Sequence, residues 1–127
     1  MKDLGFTMGR VEQAVDYAKI WAAGKPVEAA DPKSVAQSKA MLNLALANNW
    51  GVTAYPRDLT AAVLQEELAK RRAVDRSGKP YPSGGLVCGF DEEVQRYCYN
   101  VGASLAQTYG HFPALKGALI HTEFINT

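Results

Sequence analysis

The chain has 127 residues, of which 47% are apolar, 21% charged and 9% aromatic, and this composition predicts one folded domain rather than a disordered segment. Lys and Arg number 14 against 13 Asp and Glu, so the net charge of +1 provides no excess of cations for a nucleic acid or an anionic membrane. No apolar run is long enough to span a bilayer, and residues 1–5 do not begin a signal peptide. We therefore expect the partner to be a small molecule or a protein.

The two cysteines give no sign of a metal site. A structural zinc ion needs four ligands in closely spaced pairs, whereas Cys88 and Cys98 lie ten positions apart. His111 and His121 are the only further soft ligands. A disulfide would require the loop around Cys88 to fold back onto the helix that carries Cys98. The sequence therefore favours two free thiols and predicts no metal and no other cofactor.

The first two segments predict a strand and a helix. Residues 5–11 open with a turn glycine and continue with apolar or β-branched side chains, which is typical of a short buried strand. Apolar residues then recur at helical spacing until Gly24 and Pro26, which do not continue a helix. The residues of this apolar stripe are Val11, Ala14, Val15, Ala18, Trp21 and Ala22.

Asp31 and Pro32 predict the start of a second helix. An aspartate accepts hydrogen bonds from the free amides of the first turn, and proline fits the first helical position. We expect this helix to run to about Asn48, where residues that tolerate a left-handed backbone follow. Residues 52–55 then predict a strand that Pro56 ends.

The second half of the chain predicts helix, loop, helix and strand. Residues 61–74 favour a helix by composition, and residues 75–90 are dense in turn formers and predict a long surface loop. Asp91 places negative charge at the start of the next helix, which ends at Gly110, and residues 115–124 carry the apolar run of a buried strand. The apolar stripe of this last helix comprises Val94, Tyr97, Cys98, Val101, Leu105 and Tyr109.

Strands that alternate with helices predict a parallel sheet built from right-handed crossover units. We expect three parallel strands in sequential order, near residues 5–11, 51–55 and 117–123, with helices on one face only. So few elements cannot cover both faces of a parallel sheet. Residues 1–127 are therefore expected to form a single incomplete domain that belongs to a larger α/β protein.

Polar residues follow the carboxyl ends of all three predicted strands, which is where parallel α/β folds bind their ligands. The sequence has no Gly-rich phosphate loop, no His-Glu-x-x-His motif and no nucleophile elbow, so those enzyme classes are disfavoured. The polar residues are Arg10, Arg57, Asp58, His121, Thr122 and Glu123.

Glu123 is the strongest candidate among these residues. Leu119, His121 and Glu123 alternate onto one face of the last strand, so a carboxylate emerges where an apolar strand reaches its end. Apolar surroundings raise the pKa of a carboxyl group and make it a general acid. The alternative is a solvated glutamate at a strand end.

Residues 109–124 resemble the helix-to-strand passage of retaining glycoside hydrolases of clan A, notably the family 42 β-galactosidase type. In that family a helix ends in Tyr-Gly, a His-Pro-Ala-Leu-like turn follows, and strand four ends in Asn-Glu-Phe or Asn-Glu-Tyr. Here Tyr109-Gly110 is followed by His111-Phe112-Pro113-Ala114-Leu115, and the strand ends in His121-Thr122-Glu123-Phe124. Residues 75–80 and 88–94 resemble the loop after strand three and the entry to helix three, and residues 5–11 resemble strand two, commonly Gly-Phe-Asn-x-x-Arg.

The resemblance implies a partial (β/α)8 TIM barrel that covers strands two to four and acts on a carbohydrate. It implies Glu123 as the acid/base and Arg10 as a support for the catalytic carboxylates. Thr122 stands where the family has Asn, which hydrogen-bonds the sugar 2-hydroxyl. The nucleophile of the family lies on strand seven, outside this chain, so we expect the chain alone to be inactive, because a retaining mechanism needs two carboxyl groups about 5 Å apart.

Other interpretations remain open. Thr122 favours a non-catalytic carbohydrate-binding or scaffold barrel, and a small stand-alone α/β interaction module is a third possibility. Arg57 and Asp58 are candidate sugar contacts, with helix capping as the alternative for Asp58, and His121 either tunes Glu123 or is a buried structural histidine. Trp21 and Trp50 are expected in the core rather than against a sugar. Exposed sheet edges also predict self-association of the isolated chain.

Overall fold

The computed structural model describes residues 8–11, 14–28, 31–56, 67, 70–80, 88 and 90–118. Its helices and strands follow one another along the chain in an alternating α/β order. They are β1 (Met8–Val11), α1 (Tyr17–Ala23), α2 (Pro32–Ala47), β2 (Gly51–Ala54), α3 (Glu92–Tyr109) and β3 (Leu115–Ala118). No helix in these ranges is both long and apolar enough to cross a membrane.

The three strands form one parallel sheet in the order β1-β2-β3. Parallel neighbours require the chain to return between strands, and α2 and α3 lie in the two return segments. The register aligns Val11 with Ala54 and Ala54 with Ala118, so the three described strands end at one edge, here called the carboxyl edge. The predicted strand order and direction are confirmed, with β3 beginning at Leu115, two residues before its expected start.

One face of β2 is covered by both crossover helices. Val52 and Ala54, which alternate onto the same face, pack in one core cluster with residues of α2 and α3. On the other face, Met8 is 56% exposed, and a side chain on Gly51 would meet the side chains of Met8 and Lys116 at 3.4 and 3.0 Å. Within the described ranges, α2 and α3 thus cover one face, as expected. The cluster comprises Val35, Leu42, Ala45, Val52, Ala54, Leu105, Tyr109 and Ala114.

Helix α1 packs on α3 rather than on the sheet. Its buried Ile20 forms a second cluster with Tyr97 and Val101, both in the first three turns of α3. The 18 residues of α3 span about 27 Å, whereas strands of four residues span about 13 Å. Leu105 and Tyr109 near the carboxyl end of α3 pack in the cluster with β2, whereas Tyr97 and Val101 nearer its amino end pack with α1.

Buried polar side chains tie the segment after α1 to α3. The amide of Val27 donates to Ser104 Oγ at 2.9 Å, and Thr108 Oγ1 donates to the carbonyl of Glu28 at 2.9 Å. Asn100 lies one turn before Ser104, so three polar residues at i, i+4 and i+8 are buried on one side of α3. Backbone groups of residues 27–28 thus find partners on the helix, as buried backbone requires.

The boundaries of α2 agree with the sequence signals. Asp31 accepts a hydrogen bond from the amide of Ser34 at 2.9 Å, Pro32 is the first helical residue, and the helix ends at Ala47. Asn49 follows with φ of 55°, in the left-handed region that asparagine tolerates. The capping residues therefore act as the sequence predicts.

The first helix begins later than its apolar stripe predicts. Asp16 accepts a hydrogen bond from the amide of Lys19 at 2.9 Å, and this cap starts α1 at Tyr17. Ala18 and Ala22 are exposed and Ile20 is the buried residue of the helix, so the predicted stripe is wrong at the two alanines, whereas its members Val15 and Trp21 pack against the core. Gly24, with φ of 60°, ends α1 as expected.

Three further expectations need correction. The predicted helix of residues 61–74 does not extend to residue 74, because Val74 pairs with Pro80 in an antiparallel bridge around a turn. Within the predicted range Glu67 is helical, and residues 61–66 lie outside the described residues. Cys98 is exposed, although α3 otherwise follows its predicted stripe. In β3, residues 116–118 are exposed rather than buried, because β3 is the last strand of the described sheet and has one neighbour.

Candidate functional site

The strands that carry or precede the predicted site residues are neighbours in the sheet. Arg10 pairs with Thr53, which pairs with Gly117, and the structure describes only the backbone of Arg10. Pro56 immediately precedes Arg57, and Ala118 is the last described residue before the segment that carries Glu123. The other predicted site residues, Arg57, Asp58, His121, Thr122 and Glu123, lie outside the described residues.

A cavity of about 330 Å³ lies beside the amino-terminal half of α3, where α1 packs on this helix. Its volume is at the lower end of the range for small-molecule sites, about 300–1,000 Å³. Among the described residues, its walls are contributed by α1 with Gly24, by α3, and by Glu67 and Arg71. We call it the α1–α3 cavity; the lining residues that matter below are Trp21, Arg71, Glu93, Arg96, Tyr97 and Asn100.

Arg71 connects one wall of this cavity to the start of α3. Its Nη1 donates to both carboxylate oxygens of Asp91, at 3.2 and 2.9 Å, and its Nη2 pairs with Glu93. The guanidinium carbon also lies 5.6 Å from the centroid of the Trp21 ring, within the range of a cation–π contact. The hydrogen bonds to Asp91 raise the pKa of Arg71 above its ordinary value, so this side chain is a permanent cation.

Asp91 serves two structural purposes at once. It caps α3 by accepting hydrogen bonds from the amides of Glu93 and Val94, at 3.0 and 3.1 Å, and it binds Arg71. The amide of Val94, and after it the Arg71 guanidinium, hold the pKa of Asp91 below its usual range. Residue 71 is thereby fixed to the helix that forms the opposite wall of the cavity.

Among the described residues, three polar atoms of the cavity residues have no hydrogen-bond partner. They are Tyr97 Oη, Asn100 Nδ2 and Arg71 Nε, and each is covered. Tyr97 is 3% exposed and Asn100 is 4% exposed, and burial raises the pKa of Tyr97 far above its ordinary value. A buried polar group without a partner destabilises the fold by about 1–3 kcal/mol, so such groups are rare unless a ligand or water satisfies them.

A pair of buried tyrosines on α3 tests this description. Tyr109 Oη donates to the carbonyl of Ala14 at 2.7 Å, whereas Tyr97 Oη has no partner in the part of the chain that the structure describes. We expect Tyr109→Phe to lower the free energy of unfolding by about 1–2 kcal/mol, because the Ala14 carbonyl loses its donor. Tyr97→Phe is expected to leave that free energy unchanged or to raise it by up to about 1 kcal/mol.

Urea denaturation of the two variants measures the difference directly. They have the same chemical change in the same helix, so each serves as the control for the other. A larger loss for Tyr97→Phe than for Tyr109→Phe would show that the Tyr97 hydroxyl has a stabilising partner, and would contradict the description of the cavity.

The sequence signals did not identify the α1–α3 cavity. Asn100, Ser104 and Thr108 recur every four residues beside the apolar stripe of α3, and this spacing was the available signal of a buried polar face. Arg71 lies 20 residues before Asp91 along the chain, and no local pattern predicts that pair.

Comparison of the chain with protein-family models, with curated proteins and with solved structures found no match. The resemblance to clan A glycoside hydrolases therefore rests on the motifs quoted from the sequence. The fold itself is a small α/β arrangement with a three-stranded parallel sheet and three helices among the described residues.

Proposed function

We propose that the chain is the strand-two to strand-four portion of a retaining glycoside hydrolase, and that Glu123 is its acid/base. The observation that supports this most is the parallel order β1-β2-β3 with both crossover helices on one face. Successive parallel strands with an outer layer of helices are the repeating unit of a (β/α)8 barrel, whose active site lies at the carboxyl ends of the strands.

The sheet register supports one choice among the polar residues proposed to lie near Glu123. Thr53 of β2 pairs with Gly117 of β3, and we call the position of this pair along the strands the paired level. Along the chain, Asp58 comes five residues after Thr53, and Glu123 comes six residues after Gly117. Arg10 lies at the paired level itself. If β3 continued as a strand, Glu123 would lie about 20 Å beyond Gly117, at about 3.3 Å per residue. This distance exceeds the length of an arginine side chain, so Arg10 would not reach Glu123. The proposal therefore favours Asp58 over Arg10 as the polar neighbour of Glu123.

The chemistry assigns two successive tasks to Glu123. As an acid it protonates the glycosidic oxygen while a second carboxylate attacks the anomeric carbon and forms a glycosyl–enzyme ester. As a base it then removes a proton from the water that hydrolyses this ester. The second carboxylate belongs to a part of the protein outside these 127 residues, so the complete enzyme, and not this chain alone, is proposed to be active.

A carbohydrate-binding or scaffold domain without catalysis is the second candidate. Thr122, where the family has Asn, favours it, because a shorter hydroxyl replaces the amide that hydrogen-bonds the sugar 2-hydroxyl. Met8, which is 56% exposed on the sheet face away from α2 and α3, also supports the proposal that the isolated chain self-associates.

The stereochemistry of hydrolysis tests the proposed function. We expect the complete protein to cleave nitrophenyl glycosides, and we expect NMR of the first product to show the anomeric configuration of the substrate, since two displacements restore it. An inverted first product would contradict the retaining mechanism. Sugar binding without hydrolysis would select the second candidate.

A further inference from the structure

We propose that the α1–α3 cavity is a binding site for a neutral small molecule with several hydroxyl groups, about the size of one sugar ring. This inference goes beyond the proposed hydrolase activity. The cavity residues belong to the helix layer, and none of them is among the predicted catalytic residues of the carboxyl edge.

The unpartnered atoms define what the ligand supplies. Asn100 Nδ2 and Arg71 Nε are donors, and Tyr97 Oη both donates and accepts. A hydroxyl group accepts from an amide or a guanidinium and donates to a phenol, so a polyol satisfies all three atoms. Each atom is covered in the structure, so the proposal requires the side chains around the cavity to rotate before a ligand makes contact.

The charges around the cavity select a neutral ligand. Arg71 is neutralised by Asp91 and Glu93, and Arg96 lies 3.7 Å from Glu93. Glu67 pairs with Lys70 at 3.3 Å. An anionic ligand would have to compete with these carboxylates for the guanidinium groups, whereas a neutral ligand leaves the ion pairs intact.

The size and the walls fit a single ring. A volume of about 330 Å³ is small for an oligomer and suffices for one six-membered ring with its hydroxyl groups. The rings of Trp21 and Tyr97 pack edge to face, with their centroids 5.3 Å apart and an interplanar angle of 80°. Trp21 is partly exposed, so its fluorescence reports on events in the cavity.

Tryptophan fluorescence provides a binding assay that is specific for the cavity. It has two tryptophans, so Trp50→Phe leaves Trp21 as the single emitter. We titrate this variant of the chain with methyl β-galactopyranoside, methyl β-glucopyranoside and myo-inositol. At least one is expected to give a saturable change in Trp21 emission. Tyr97→Phe and Asn100→Leu are each expected to weaken that binding about tenfold, as the loss of one hydrogen bond does.

Matched controls separate binding from folding. Tyr109→Phe removes a tyrosine hydroxyl that has a partner, Ala14, away from the cavity, and is expected to leave the affinity unchanged. Circular dichroism checks that each variant folds, and two independent variants keep the test valid if one does not. The proposal is overturned if none of the three ligands saturates, or if the cavity variants bind as tightly as the parent.

Two further titrations determine the class of ligand and distinguish this proposal from the hydrolase proposal. Tighter saturation by inorganic phosphate than by any of the polyols overturns the assignment of a neutral ligand. Glu123→Gln is expected to retain the Trp21 response, and its loss in that variant would place the sugar at the carboxyl edge and overturn the cavity site. Conversely, a catalytic Glu123 with no Trp21 response would support the hydrolase and reject this inference.

Discussion

Glu123→Gln in the complete protein is expected to slow hydrolysis of glycosides with poor leaving groups by about 10²- to 10⁴-fold, the contribution of a positioned general acid. Glutamine keeps the size of the side chain but cannot donate the proton. A sugar alkoxide leaves only with nearly full proton transfer, so natural glycosides are expected to suffer most. Aryl glycosides whose leaving group departs as a stable anion are expected to lose much less in the first step.

The contrast between the two substrate types distinguishes catalysis from folding. Glu92→Gln serves as the control, because Glu92 is an exposed carboxylate in the first turn of α3. Equal losses of Glu123→Gln on natural and activated substrates would show that Glu123 acts in binding or folding. Unchanged rates on both substrate types would show that Glu123 is a solvated residue at a strand end and not the acid/base.

The second large effect concerns the core beneath β2. Leu42 is 0% exposed and belongs to the cluster that joins α2, α3 and β2, whereas Leu44 on the same helix is 58% exposed. We expect Leu42→Ala to lower the free energy of unfolding by about 2–5 kcal/mol, because it removes buried methyl groups and leaves a cavity. Leu44→Ala is expected to change that free energy by less than about 0.5 kcal/mol.

Urea denaturation at equilibrium gives both values, with the slope of the transition as a check on the compactness of the unfolded state. The two leucines are two residues apart in one helix, so differences in helix propensity cancel. Equal losses for the two variants would mean that α2 presents a different face to the sheet, and would contradict the packing of both crossover helices on one side of β2.

Local signals predicted α2 better than α1. Asp31 and Pro32 fix the start of α2 through one side-chain cap and one fixed φ angle, and both are readable without knowledge of the fold. For α1 the apolar spacing continued upstream of the helix, and the cap at Asp16 determined its start instead. Periodicity thus identified the helix, while a single hydrogen bond set its boundary.

The parallel sheet was predictable from alternation alone, but the surroundings of α3 were not. The polar side chains of Ser104 and Thr108 contact the segment after α1, and Val27 is 77 residues from Ser104. The α1–α3 cavity depends on equally distant contacts, such as Arg71 with Asp91. Hydrophobic spacing within one element carries no information about such partners.

The product that Glu123→Gln forms from an activated aryl glycoside in the presence of azide decides whether Glu123 is the acid/base of a retaining hydrolase. Azide attacks the glycosyl–enzyme ester without needing a general base, so it replaces water in the step that the variant cannot assist. We expect a glycosyl azide with the anomeric configuration of the substrate, formed faster as azide is added, and absent from the products of the parent enzyme. Turnover that azide does not accelerate, with no glycosyl azide among the products, would contradict this role of Glu123.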